Sequence, residues 1–286
     1  MIQSMTGFGK ASLQLPNKKI TVEVKSLNSK GLDVSVRMPS ALREMELGLR
    51  TQIAQKLERG KIDFSLFVEV TGEETSSKIN APIVRSYINQ MKEVIPHADE
   101  TELMKMAVRM PDALKTEREE IDVNEWETIQ GVIVQALENI HSFRVTEGVA
   151  LEKEFLVRIG NILSLMHETV SLDAERIENV KTRLRASIED LAVNVDENRF
   201  EQELIFYLEK MDITEEKVRL ENHLNYFIET LAGTEANGRK LGFITQEMGR
   251  EINTMGSKSN HAKMQKLVVQ MKDELEKIKE QVLNVL

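Results

Sequence analysis

Two stretches of the chain gather side chains capable of proton transfer and ligand binding. In the first, Asp212, Glu216, Arg219 and His223 follow one another at spacings of four, three and four. On a helix that spacing places all four on one stripe. The stripe borders the apolar face of Leu220, Leu224, Phe227 and Leu231, so its groups are partly dehydrated. Carboxylates, a guanidinium and an imidazole side by side can hold a divalent cation through oxygen. They can equally let His223 exchange a proton while a carboxylate orients its ring. The same residues also read as an acid-to-arginine ladder that merely supports a helix, with Asp212 or Thr214 as its N-cap.

The second stretch runs from Gly238 to Ser259. Leu241, Ile244, Met248, Ile252 and Met255 form its apolar stripe, and Lys240, Glu247, Arg250, Glu251 and Thr254 lie along one border of it. Glu247 and Glu251 stand one turn apart, a spacing suited to a hard cation, with Arg239, Lys240 and Arg250 near enough to bind phosphate oxygens. The segment Gly256-Ser-Lys-Ser259 offers backbone amides and a cation, but it lacks the glycine spacing and preceding strand of a nucleotide P-loop. The structural alternative is a salt-bridged amphipathic helix closed by a glycine loop. A third stretch, Ser4-Met-Thr-Gly-Phe-Gly9, sets an aromatic between glycines. It suggests a bulge or close backbone approach, with Phe8 as a stacking surface or a core residue. His97, His141, His167 and His261 have no ligand spacing and read as surface or capping residues, and no GxSxG, GxGxxG or HExxH pattern occurs.

The elements that must position these residues are legible from composition and periodicity. With 286 residues, 41% hydrophobic and 30% charged, the chain can form one large or two ordinary domains. The absence of cysteine excludes disulfides, thiolate metal sites and cysteine nucleophiles. No apolar run is long enough to span a bilayer and no secretory signal opens the chain, which predicts a soluble, cytoplasmic protein with no membrane partner. The net charge of -9 is unevenly spread: residues 1–61 hold 11 basic against 5 acidic side chains and residues 238–266 hold 6 against 2, around a strongly acidic middle. A local polyanion site is therefore compatible with an acidic total.

Every proline lies at or before Pro111, which marks a change from strands and turns to helices. Met1 to Leu15 and Ile20 to Leu27 read as strands joined at Pro16-Asn17. Leu32 to Met38 reads as a third strand, and Ile62 to Val70 as a fourth. Between the last two, Ser40 is the expected N-cap of a helix through Leu42, Met45, Leu49, Ile53 and Leu57, ended at Gly60. Pro82 suits a first helical turn, and Asn124 an N-cap for a helix through Ile129, Ile133 and Leu137, whose period Leu151, Phe155, Ile159 and Leu163 continue. Met264, Val268, Met271, Leu275, Ile278, Val282 and Val285 make an a/d heptad pattern that must pack against a helix of the same chain or of another subunit. The expected class is α+β: a small mixed or antiparallel sheet with a covering helix over residues 1–111, long connecting helices over 112–200, and a helical domain carrying the site over 201–286.

Taken together, these segments identify the sequence as similar to the YicC family of bacterial proteins, over nearly its full length. The resemblance rests on Ser4-Met-Thr-Gly-Phe-Gly9, Glu23-Val-Lys-Ser-Leu-Asn28 with Leu32-Asp33, Arg59-Gly-Lys61, and Arg144 with Glu147-Gly148. Above all it rests on Asp212, Glu215-Glu216, Arg219-Leu220 and His223-Leu224, with Gly238-Arg-Lys-Leu, Phe243, Gln246-Glu-Met248, Arg250-Glu-Ile-Asn-Thr254 and Gly256-Ser-Lys-Ser259. It implies a metal-dependent endoribonuclease acting in RNA turnover, with an N-terminal α+β domain and a helical C-terminal domain, RNA as partner, and a ring-like homo-oligomer, a hexamer. On the matched positions, Glu216, Glu247 and Glu251 would ligate Mg or Mn and share catalysis with His223. Arg219, Arg239, Lys240, Gln246, Arg250, Asn253, Thr254 and Lys258 would hold RNA. The sequence departs from the family pattern at Ser29-Lys30, where His-Arg is usual, and at Gly249, where an asparagine is usual. The alternative of a different class is an RNA-binding oligomeric adaptor that delivers RNA to another nuclease without cutting it.

Overall fold

A computed structural model describes residues 2–71, 78–115, 123–190, 196–233 and 238–286. Its contacts divide the chain into a sheet unit, Phe8–Lys25 with Leu32–Ile140, and a helical unit, Met1–Gly7, Ser26–Gly31 and His141–Leu286. No helix of the described residues is long and apolar enough to cross a membrane.

In the sheet unit, β1 (Gly7–Gln14), β2 (Lys18–Leu27), β3 (Leu32–Arg37) and β4 (Gly60–Val70) form one mixed sheet in the order β1-β2-β4-β3. β3 and β4 run parallel, with Val34 opposite Ile62 and Val36 opposite Phe64. Alternation puts Ile20, Val22 and Val24 of β2 and Ile62, Phe64 and Leu66 of β4 on the buried face. That face is covered by Leu49, Ile53 and Leu57 of α1 (Glu46–Leu57) and by Ile129, Val132, Ile133 and Leu137 of α4 (Val123–Ser171). The expected α+β architecture is thus present, with the start of a 49-residue helix as a second cover. The expected cap at Ser40 is not: residues Ser40–Met45 wind as a 3-10 turn after Pro39, without a side-chain cap, and the α-helix begins only at Glu46. Proline's fixed φ followed by the tighter turn enters the helix without needing the hydroxyl. A short ribbon of β5 (Lys78–Ile79) and β6 (Leu114–Lys115) frames α2 (Ala81–Val94) and α3 (Glu100–Ala107), which share a small core of Val84, Ala107 and Ala113. Pro82 stands in the first turn of α2, as its fixed φ suits.

In the helical unit the later part of α4 is joined by α5 (Asp173–Asp190), α6 (Glu197–Lys210), α7 (Thr214–Leu231), α8 (Gly238–Lys258) and α9 (Ala262–Val282). All seven heptad positions from Met264 to Val285 are buried, and α9 packs on α8 of the same chain. Each such side chain contributes about 1.5–3 kcal/mol relative to leaving it in water. They share one core with Leu241, Met248 and Met255 of α8, Leu220, Leu224 and Phe227 of α7, and Phe155 and Ile162 of α4. Phe155 and Phe227 meet edge to face at 5.7 Å between ring centroids.

The first strand departs from expectation in a way that matters for this core. The sheet strand begins only at Gly7, and the residues before it pair within the helical unit. Ser4 bridges Val285 antiparallel, the Met5 amide donates to the Asn284 carbonyl at 2.7 Å, and the Leu286 amide donates to the Gln3 carbonyl at 3.0 Å. This two-stranded stack is clasped by glycines on both sides. A Cβ at Gly148 of α4 would strike the Ile2 carbonyl, and one at Gly238 of α8 would strike the Val285 carbonyl. Only glycine allows backbones to approach this closely.

Candidate active site

α7 and α8 pack side by side, and two contacts give their direction. At one end, Lys258 of α8 donates to Glu216 Oε1 in the first turn of α7, at 2.8 Å. Toward the other, the Lys240 ammonium lies 4.6 Å from the ring centroid of Tyr226. The helices are therefore antiparallel, and His223 lies on the stretch of α7 between these contacts, as Glu247 and Glu251 do on α8. Their apolar stripes, Leu220, Leu224, Phe227 and Leu231 against Leu241, Ile244, Met248, Ile252 and Met255, are all buried, which orients the polar borders outward.

The acidic and basic groups sort along this frame. Asp212 does not join the stripe: its Oδ1 accepts from the Thr214 amide at 3.0 Å and hydroxyl at 2.7 Å. Those bonds, the hydroxyl's first, hold its carboxyl below the usual range. It ties down the turn before α7, but neither Asp212 nor Thr214 is the N-cap expected of them: that position falls to Ile213, and no side chain caps the helix. Glu216 is buried, with 7% of its side chain exposed, and its Oε2 has no hydrogen-bond partner. Its charge is balanced by Lys258 and favoured by the α7 N-terminus, while Lys258 is favoured by the α8 C-terminus. The same corner is closed by buried Arg176 of α5, which donates to the carbonyls of Lys258 and Met211 at 2.8 Å each and pairs with Asp173 at 2.6 Å. Arg219 is exposed and pairs with Glu215, not Glu216. Glu247 pairs with Arg250 at 2.7 Å, Thr254 donates to the Arg250 carbonyl, and Glu251 is buried. His223 is half-buried, on the border of the apolar stripe of α7.

The structure therefore brings together two parts of the expected constellation and separates a third. Arg239, Lys240, Gln246, Arg250 and Asn253 are exposed on α8, and Lys258 and Glu216 meet across 42 residues. The three acids expected to share a cation do not meet in one chain. Glu216 stands at the Lys258 end, while Glu251 and Glu247 lie about 10 and 16 Å of helix rise further along α8. Among the described residues, no group of three or more histidine, aspartate or glutamate side chains could hold a metal ion. The donor set of a single chain does not fit a three-carboxylate site. At Gly249, where the family usually has asparagine, a side chain would meet Leu275 and Lys279 of α9. Phe8 is exposed with Lys25 5.8 Å from its ring centroid, and Gly9 is the close-approach residue, pressed on the backbone of Ala136 and Ile140.

One strongly perturbed group escaped sequence reasoning. Glu274 of α9 accepts from Asn161 at 3.0 Å, Lys277 at 2.9 Å and Arg158 at 3.2 Å, joining α9 to α4, with 13% of its side chain exposed. Burial pushes its carboxyl up, but the three donors and the charge of Arg158 outweigh that and hold it at about 2. A carboxyl lowered on folding stabilises the native state above its unfolded value near 4.5, and that contribution drains away as pH falls from about 4.5 toward 2. Glu274→Gln is expected to cost about 2 kcal/mol at neutral pH and to flatten the acid limb of stability between those values. Urea midpoints measured across that pH range check it, and a variant with an unchanged acid limb refutes it. An acid flanking the heptad residue Leu275 was the available signal.

Comparison with known proteins extends over both units. Residues 2–153 match the model described as endoribonuclease YicC-like, N-terminal region, and residues 169–286 match endoribonuclease YicC-like, C-terminal. Over the whole length of both chains, the sequence is 31% identical to a probable endoribonuclease YicC of Clostridioides difficile (strain 630). It is 26% identical to a probable endoribonuclease YicC of Haemophilus influenzae, again over the whole of both chains.

Proposed function

Because the chain belongs to the YicC-like endoribonuclease family, we propose that it cuts RNA internally, and that the antiparallel pair α7 and α8 is where the strand is held and cut. The observations that carry this reading are the exposed Arg239, Lys240, Gln246, Arg250 and Asn253 on α8 and half-buried His223 on α7, the helix packed antiparallel to it. Guanidinium and ammonium groups supply the phosphate contacts that dominate affinity for a polyanion, and amides supply hydrogen bonds. His223, on the border of the apolar stripe, is the group that can move a proton. In the step we assign to it, the imidazole takes the proton of a ribose 2′-hydroxyl, the O2′–P bond forms and the P–O5′ bond breaks. The departing 5′ oxygen takes a proton from water, the hydroxide so formed takes the proton held by the imidazolium, and a cyclic phosphate remains. Arg219 and Arg250 balance charge on the phosphate oxygens when they release Glu215 and Glu247. No step is routed through a divalent cation, since the acids of one chain do not assemble a site for it.

A second reading is favoured by the ion pairs themselves. Glu215, Glu216 and Glu247 each already have a basic partner, which is how these acids would stand in an adaptor that binds RNA without cutting it. One experiment separates the two. An internally labelled RNA with unpaired segments is incubated with the protein in Mg, in Mn and in EDTA, beside Glu247→Gln, and fragment ends are read by mass. Internal fragments ending in cyclic phosphate, made in EDTA and by Glu247→Gln, are expected. Cleavage that requires metal and disappears in Glu247→Gln overturns the metal-free step and returns Glu247 to the role of ligand. Binding without fragments in every condition overturns the nuclease reading in favour of the adaptor.

A further inference from the structure

A single aromatic residue interrupts the polar row of α8. Arg239, Phe243, Gln246, Arg250, Asn253 and Ser257 recur at alternating spacings of four and three, and every one is exposed. They lie on the side of the helix away from the buried Leu241, Ile244, Met248, Ile252 and Met255. Phe243 is 61% exposed, and its neighbours along the row are Arg239 and Gln246. It is thus an isolated ring in a polar row, in contrast to the edge of an apolar patch. Three positions back, Lys240 holds its ammonium over the ring of Tyr226, itself 45% exposed. The end of the α7–α8 pair therefore presents a free aromatic face near one guanidinium and one ammonium whose position is fixed by a cation–π contact.

We propose that Phe243 is a stacking platform for an unpaired base of bound RNA, with Arg239 and Lys240 engaging the phosphates that flank that base. The inference rests on the reading of α7 and α8 as an RNA-holding surface and adds the substrate class: a strand whose bases are splayed out. In an A-form duplex the base faces are hidden inside the stack, so proteins reach it through shape, phosphates and 2′-hydroxyls. An exposed phenyl ring contributes nothing to those contacts. Its flat face matches a free base, and stacking of this kind tolerates any sequence because every base has a π-face. Along the row, Arg250 lies about 16 Å of helix rise from Arg239, so a strand lying along α8 meets a second cation several nucleotides further on.

The test is fluorescence anisotropy of the full chain with a short labelled oligoadenylate, an abasic ribose-phosphate strand of the same length, and a blunt RNA duplex, over a range of salt concentrations. Phe243→Ala is expected to weaken oligoadenylate binding roughly five- to hundred-fold. Its salt dependence should be unchanged and its affinity for the abasic strand intact, and Phe243→Trp should keep wild-type affinity. Arg239→Ala is expected to lower the salt slope by about 0.7 for each phosphate that the guanidinium neutralises in the wild type. Equal weakening on the abasic strand and oligoadenylate, or no weakening on either, overturns the proposal. So does a changed oligomer mass for Phe243→Ala by light scattering, which would make the ring a contact between subunits. Wild-type protein that binds none of the three probes refutes the RNA reading itself, whereas wild-type binding that Phe243→Ala leaves untouched refutes only the stacking role.

Discussion

His223→Ala is expected to slow RNA cleavage by about 10²- to 10⁴-fold, the range that positioned acid–base groups supply, while RNA affinity and urea stability stay at wild-type values. The expectation follows from the placement of the imidazole. His223 lies on the border of the buried α7 stripe, half-exposed, and the buried packing falls to Leu220 and Leu224 of that stripe. Removing the ring therefore opens no core cavity and takes no donor from a buried partner. It does remove the one side chain along this stretch of α7 that readily exchanges protons. A structural role and a chemical one are separated by adding free imidazole: a chemical role predicts partial rescue of His223→Ala, and a structural role predicts none. Unchanged cleavage by the variant would remove His223 from the reaction.

Arg144→Met carries the largest expected drop in stability, about 3 kcal/mol, because it leaves buried acceptors without their charged donor. Arg144 is 1% exposed, in the part of α4 that belongs to the helical unit. Its guanidinium donates to the Met5 carbonyl at 3.1 Å and to the Ser26 hydroxyl, which in turn donates to the Met5 carbonyl at 2.7 Å. Its own carbonyl accepts from the Ser4 amide at 3.0 Å. Methionine keeps the length of the side chain and fills the space, so the variant isolates the effect of the hydrogen bonds from that of packing. The urea midpoint is the measure. Arg144→Lys, which keeps the charge without the fork, should recover only part of the stability, since one ammonium cannot reproduce the guanidinium geometry. A midpoint equal to wild type for Arg144→Met would show that the bonds contribute nothing net.

What was legible in the sequence was what periodicity encodes. The heptad from Met264 to Val285 and the stripe from Leu241 to Met255 are entirely buried, because a 3.5- or 3.6-residue period leaves a side chain no other face. The alternation of Ile62, Phe64 and Leu66 marked the buried face of β4 in the same way. Partners were less legible. Nothing near Glu216 in sequence announces Lys258, 42 residues on, and a helical wheel that put Glu216 beside Arg219 missed that Arg219 turns to Glu215. Alternation also cannot say which strand a strand will pair with, so Ile2 to Thr6 read as an extension of β1 although they pair with the segment after α9. At Ser40 the residue type suited a cap, but Pro39 had already set the backbone for a 3-10 turn. Phe243 was within reach: its wheel position opposite the apolar stripe marks it as exposed.

The clasp around Ser4 and Val285 also sets an order of events during synthesis. Residues 2–6 are made before the rest of the helical unit, yet their strand partner lies about 280 residues downstream, at 284–286. At translation rates of about 5–20 residues per second, that interval lasts roughly 14 to 56 s. Throughout it the hydrophobic Ile2 and Met5 have no partner strand. The pairing of residues 2–6 therefore closes only after residues 284–286 have been made.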